Sequence, residues 1–136
     1  EAGLRITHLD GHLFFYEPEE FGSTALLEVV EILARRLRVP FRSVSPSARG
    51  PIERTYFIWE EFDDPEARWT FYDQLLESLP AGTHELIVHP GDDVTAMSEF
   101  TGAASRRWAD YEYLSSGRGA RALRNARVAL VGWGNL

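Results

Sequence analysis

The chain has 136 residues, of which 44% are hydrophobic and 12% aromatic, so we expect a folded globular protein and exclude a disordered one. Its 21 acidic and 14 basic residues give a net charge of −7, which disfavours a nucleic-acid partner. Every basic residue is Arg and there is no Cys, which excludes thiol nucleophiles, disulfides, Cys-ligated zinc and lysine chemistry. The longest apolar runs are shorter than the roughly 18–20 residues of a membrane span, so we expect no membrane partner and a cytoplasmic location.

The first third of the chain is predicted to be strand, helix and strand. Residues 4–10 (LRITHLD) alternate in polarity, which predicts a strand whose carboxyl end delivers Asp10, Gly11 and His12. A helix is predicted over 23–38, with its core-facing stripe formed by Leu26, Val30, Leu33 and Leu37. Pro40 ends this helix, and 41–44 are predicted to form a short strand.

The remaining segments continue the alternation. Residues 55–59 are β-prone, and Asp64 followed by Pro65 predicts the start of a helix over 65–79. The segment THELIVHPG predicts a strand that ends at His89. A long loop over 91–104, helices over 105–114 and 121–126, and a final strand in ARVALVGW complete the prediction.

Strands that alternate with helices predict an α/β fold, with a mostly parallel sheet and flanking helices. We expect residues 1–136 to form a single α/β domain or a partial barrel. In such sheets, functional side chains gather where the strands end, because the loops there converge. The predicted strand ends carry His12 and His89.

The first of these ends has the spacing of a metal site. His8, Asp10 and His12 would share one face of an extended segment, and imidazole and carboxylate groups bind zinc, manganese or cobalt. The alternative is a strand-end histidine that hydrogen-bonds to a neighbouring aspartate.

The second end carries a candidate acid–base group. His89 closes an apolar strand before Pro90 and Gly91, and histidine can donate or accept a proton at physiological pH. The alternative is a structural histidine.

The segment SSGRGARAL, which contains Arg118, is interpreted as a helix–helix connection, with a phosphate-binding loop as the alternative.

Four segments, in order, resemble the C-terminal half of the YdjC-like carbohydrate deacetylases. They are GLRITHLDGH, VPFRSVSP, LPAGTHELIVHPG and ARVALVGWGNL. The segment RRWADYEYL, with Arg107 and Glu112, is similar to a further helix of that family. The resemblance spans nearly the whole chain.

This resemblance implies a distorted (β/α) barrel that hydrolyses acetyl groups from N-acetylated amino sugars or oligosaccharides. It implies a divalent metal ion such as Mg or Zn, with His12 as a metal ligand. It assigns His89 as the catalytic acid that protonates the leaving amine. Asp10 and Arg42 would belong to the substrate-binding pocket.

The sequence also departs from the family pattern. The family's Asp-Asp-Phe-Gly and GLH motifs are absent, so we expect the chain alone to be incomplete and to need a complementing N-terminal half or self-association. The alternative is a non-catalytic remnant that binds a sugar or a protein, using the aromatic residues near 14–16 and 56–59. A self-associating domain with no ligand is a further possibility.

Overall fold

The computed structural model describes residues 3, 5–11, 16, 24–43, 50–58, 62 and 64–136. These residues form an α/β structure, which confirms the predicted class at this level. The helices are α1 (Ala25–Leu37), α2 (Pro65–Ser78), α3 (Val94–Ser98), α4 (Ala104–Ser115) and α5 (Gly117–Asn125). The strands are β1 (Arg54–Phe57) and β2 (His84–Ile87), and a 3-10 turn, Trp133–Asn135, follows α5.

The two strands and the helix between them form a β-α-β unit. β1 and β2 are hydrogen-bonded neighbours in a parallel two-stranded sheet, and α2 is the connection between them. A parallel pair requires such a crossover, because the chain must return to the same end of the sheet before the second strand begins.

Helix α2 begins where the sequence predicts. The Asp64 side chain accepts a hydrogen bond from the Glu66 backbone N–H at 3.1 Å, and Pro65 occupies the first helical position. The cap satisfies one of the N–H groups that a helix start leaves without a partner.

We expect Asp64→Ala to lower the free energy of unfolding by about 1 kcal/mol, because this cap is lost. Thr24→Ala is the matched control, since Thr24 precedes α1 without a side-chain cap hydrogen bond. Urea unfolding of both variants measures the difference. Equal losses of stability would show that the Asp64 cap does not contribute as expected.

Helix α1 confirms the predicted element but not its buried face. Ala34 is its buried residue, whereas Leu26, Leu33 and Leu37 of the predicted stripe are exposed. Apolar residues also lie outside that stripe, so periodicity alone did not identify the face that packs. Val29 and Ile32 are 60% and 59% exposed.

Four other predictions need correction. The predicted loop 91–104 contains α3, whose first turn is capped by the Asp93 side chain at 2.9 Å from the Ala96 backbone nitrogen. Helix α5 begins at Gly117 rather than at 121, because the Ser116 hydroxyl caps it. The first predicted strand is reduced to a single bridge at Leu9. Residues 128–132 are not in a strand, since β-prone side chains need a neighbouring strand to pair with.

The contacts divide the chain into two compact units. One contains 1–55, 82–85 and 131–136, and its buried side chains include Tyr16, Ala34 and Ile52. The other contains 56–81 and 86–130, and its buried side chains include Tyr72, Leu76 and Tyr113. Whether 1–136 is one domain or a partial barrel stays a prediction.

No helix in the described part of the chain is long and apolar enough to cross a membrane.

Candidate functional site

The backbone brings Asp10 and Arg42 together in the first unit. Leu9 and Phe41 form a parallel bridge, in which the Leu9 N–H donates to the Pro40 carbonyl at 3.0 Å and the Arg42 N–H donates to the Leu9 carbonyl at 2.8 Å. The residues that follow the bridge are therefore neighbours. Arg42 Nη1 lies 2.6 Å from Asp10 Oδ2.

Arg42 joins two carboxylates. Its Nε and Nη2 atoms lie 2.9 and 2.8 Å from Oε1 of Glu85, and Trp133 Nε1 donates to the same oxygen at 3.3 Å. The Tyr16 hydroxyl donates to the Arg42 backbone carbonyl. Asp10 is the most accessible member of this cluster, with 43% of its side chain exposed, so it can still accept hydrogen bonds from a ligand.

We expect Arg42→Leu to lower the free energy of unfolding by about 1.5–3 kcal/mol, because mostly buried Glu85 loses a charged donor. Arg35→Leu is the control: Arg35 pairs with Glu31 at 3.3 Å but is 68% exposed, and its loss should cost at most about 0.5 kcal/mol. Urea unfolding measures both values. Similar losses in the two variants would contradict the structural role of Arg42.

The described residues do not by themselves fit a metal ion. The His8 ring stacks on Trp133 with centroids 4.8 Å apart, its Nδ1 lies 3.0 Å from the Thr7 hydroxyl, and Asp10 is paired with Arg42. Within the described ranges, no three His, Asp or Glu side chains are grouped as metal ligands would be. The predicted ligand His12 lies outside the described residues.

His89 lies in the second unit, two residues beyond the end of β2, and is exposed to solvent. Its backbone N–H donates to Oδ2 of Asp110 at 3.1 Å. The Gly91 N–H donates to the Arg107 carbonyl at 3.0 Å. Helix α4 therefore holds the His-Pro-Gly segment at two points and leaves the imidazole accessible.

Asp110 is the centre of a buried charged cluster. It is 1% exposed, and its Oδ1 accepts hydrogen bonds from Arg68 Nε at 2.6 Å and from the Tyr72 hydroxyl at 2.5 Å. Arg68 Nη2 lies 3.3 Å from Oδ2. The carboxylate thus holds α2 and α4 together while it binds the backbone of His89.

The electrostatics of the cluster keep Arg68 and Tyr72 each in one protonation state. Burial alone would lower the pKa of Arg68, but the hydrogen bond to Asp110 and the interactions with Asp110 and Tyr72 together outweigh burial, and the pKa is raised. Burial, and then the hydrogen bond to Asp110, raise the pKa of Tyr72. Arg68 therefore stays charged and Tyr72 stays a neutral donor around neutral pH.

Sequence reasoning missed Asp110, Arg68 and Glu85. One signal was available, because Arg68 and Tyr72 are four residues apart on one helix face. Arg118, weighed as a possible phosphate ligand, instead pairs with Glu66 at 2.6 Å and Asp73 at 2.9 Å. These contacts support the helix–helix connection.

The comparisons with known proteins concern fold and family. A protein of Enterococcus faecalis V583, provisionally described as a cellobiose-phosphate cleavage protein, matches with a TM-score of 0.67 and 20% sequence identity. The alignment covers 98% of this chain but 54% of that one, so this chain spans about half of its structural relative. No curated protein sequence matches. The family model described as YdjC-like protein matches residues 1–125, and the chain therefore belongs to the YdjC-like family.

Proposed function

We propose that this chain supplies part of a metal-dependent deacetylase that hydrolyses N-acetylated amino sugars or their oligosaccharides. Family membership directs the proposal to a carbohydrate substrate. The single observation that carries it furthest is an exposed histidine, two residues beyond the end of β2, that is held through its backbone. The E. faecalis relative, whose description names a phosphorylated disaccharide, supports the same substrate class.

In this proposal His89 is the general acid. Water adds to the acetyl carbonyl carbon and releases its protons to bulk solvent, the carbon–nitrogen bond breaks, and the proton on the imidazole passes to the departing nitrogen. The products are acetate and the free amino sugar. An exposed ring on a fixed backbone suits this role, because proton transfer requires the donor to reach the substrate in a defined orientation.

Asp10 and Arg42 are proposed to bind the sugar. The exposed carboxylate of Asp10 can accept hydrogen bonds from sugar hydroxyls, and its ion pair with Arg42 fixes its position. The side chain therefore loses little conformational freedom on binding. We further propose that the chain belongs to a distorted (β/α) barrel, which the β-α-β unit supports.

Measurement of acetate release from chitin oligosaccharides tests the proposal. The protein is purified under mild conditions, together with any polypeptide that remains bound to it, and assayed with and without a divalent metal. Release of one acetate for each new amine, with deacetylated glucosamine oligomers inert, is the expected result. Tight binding of the oligosaccharide without acetate release would instead support the non-catalytic binding module.

We also propose that the exposed face of α1 binds a second copy of this chain. Val29 and Ile32 are exposed apolar residues on α1, while Glu28 lies in its first turn and Arg36 in its last. An antiparallel pair of these helices would place acidic ends opposite basic ends and bury the apolar residues between them.

Native mass spectrometry with a divalent metal present is expected to show a multiple of 15.4 kDa, and Ile32→Glu should shift the population to monomer. The control is Glu77→Ala, an exposed change elsewhere. The same spectra report bound metal. Because His12 is the proposed metal ligand, His12→Ala should remove that metal. Detection of a different polypeptide bound to this face would contradict the proposed second copy and indicate a complementing partner instead.

A further inference from the structure

We infer that Asp110 is a positioning residue that fixes the backbone of His89 and thereby aims its side chain. The expected effect of Asp110 on acetate release rests on the proposed function. Its expected effect on the backbone of His89 rests on the described contacts alone.

The His-Pro-Gly segment has two backbone N–H groups, because Pro90 has none. Both are bound by α4: His89 donates to the Asp110 carboxylate at 3.1 Å, and Gly91 donates to the Arg107 carbonyl at 3.0 Å. Residues 107 and 110 are three positions apart, so they lie on the same face of the helix. The orientation of the segment is therefore set by one helix face.

The two contacts differ in kind. The acceptor for Gly91 is a main-chain carbonyl, which no side-chain substitution removes. The acceptor for His89 is a side chain, so the sequence specifies it directly.

The carboxylate is itself held in a single orientation. Its two oxygens accept four hydrogen bonds, two from Arg68, one from Tyr72 and one from the His89 backbone. A carboxylate has about four acceptor sites, so all of them are used. Any rotation of Asp110 would break bonds inside a 1% exposed cluster, and this cost keeps its acceptor aimed at His89.

Two variants separate positioning from a general loss of stability. Both carry Arg68→Met, so that no unpaired buried cation remains. The first adds Asp110→Asn, whose side-chain oxygen can still accept from His89 and whose amide can donate to Tyr72. The second adds Asp110→Leu, which has a similar size and no acceptor.

Amide hydrogen exchange reads the backbone directly. In the Leu variant we expect the His89 amide to exchange about tenfold faster than in the Asn variant. The Gly91 amide is the internal control, because its acceptor is a carbonyl that both variants retain. Where acetate release is measurable, kcat should fall by about 10- to 100-fold in the Leu variant relative to the Asn variant, with KM nearly unchanged.

The outcomes are distinct. Equal His89 exchange in the two variants, or faster exchange of His89 and Gly91 by the same factor, would overturn the inference, because the second result reflects general opening. Unequal exchange with equal kcat would overturn its catalytic consequence. Absence of acetate release from the unmodified protein counts against the proposed function, and the exchange comparison then decides the backbone inference alone.

Discussion

Replacing His89 by Ala is expected to lower kcat for acetate release by about 10²- to 10⁴-fold, with a much smaller change in KM. The acid acts on the leaving nitrogen, which needs a proton in the transition state more than in the bound substrate. Because His89 is exposed and is held through its backbone N–H, loss of its ring should leave the fold intact.

The pH profile adds a second readout for His89. A general acid works only while it is protonated, so activity of the unmodified protein should fall at high pH, and His89→Ala should lack the part of that fall that comes from loss of the acid. His84→Ala is the control, since His84 lies at the start of the same strand and is expected to keep the profile and most of the rate. Unchanged acetate release in His89→Ala would remove His89 from the mechanism.

Asp110→Ala is expected to lower the free energy of unfolding by about 3–5 kcal/mol. The substitution leaves the buried Arg68 guanidinium without its anion and removes the acceptor of the Tyr72 hydroxyl. A loss of this size is a large fraction of the total free energy of unfolding of a small protein, so the variant should be partly unfolded near physiological temperature.

The control for Asp110 is Asp73→Ala. Asp73 also accepts from a tyrosine, Tyr113, and pairs with Arg118, but its side chain is 32% exposed, so water can replace part of the lost contact and the cost should be about 1 kcal/mol. Arg68→Met/Asp110→Leu should recover most of the loss, because it removes both buried charges together. A similar loss in the single and double variants, measured by urea unfolding, would show that charge burial is not the cause.

The local parts of the fold were predictable because their causes are local. Asp64 and Pro65 specify the start of α2 through a cap and a fixed dihedral angle, and no distant residue is needed. The bridge that places Asp10 beside Arg42 lies in the two segments predicted as strands, 4–10 and 41–44, although the described residues of each form a single bridging position and no strand. The family was also recognisable from four short motifs in order.

The less successful predictions depend on what each segment packs against. The apolar residues of α1 lie on several faces, so the sequence pattern did not distinguish buried Ala34 from exposed Leu33. The ARVALVGW segment has strand-forming residues, but Leu130 is 80% exposed and the segment forms no strand. A strand exists only with a partner, and the propensity of its residues does not supply one.

By itself the sequence determined the start of α2, the α/β class, the family, and His89, His12, Asp10 and Arg42 as candidate residues. The tertiary structure decided how His89 is held. The hydrogen bond from the His89 backbone to Asp110 joins residues 21 apart in the chain, and nothing in the sequence distinguished Asp110 from other charged residues on helices. Burial gives Asp110 its importance: in water its hydrogen bonds would compete with solvent, whereas at 1% exposure each missing partner is costly. That difference follows from the packing of α2 against α4, which local patterns do not specify.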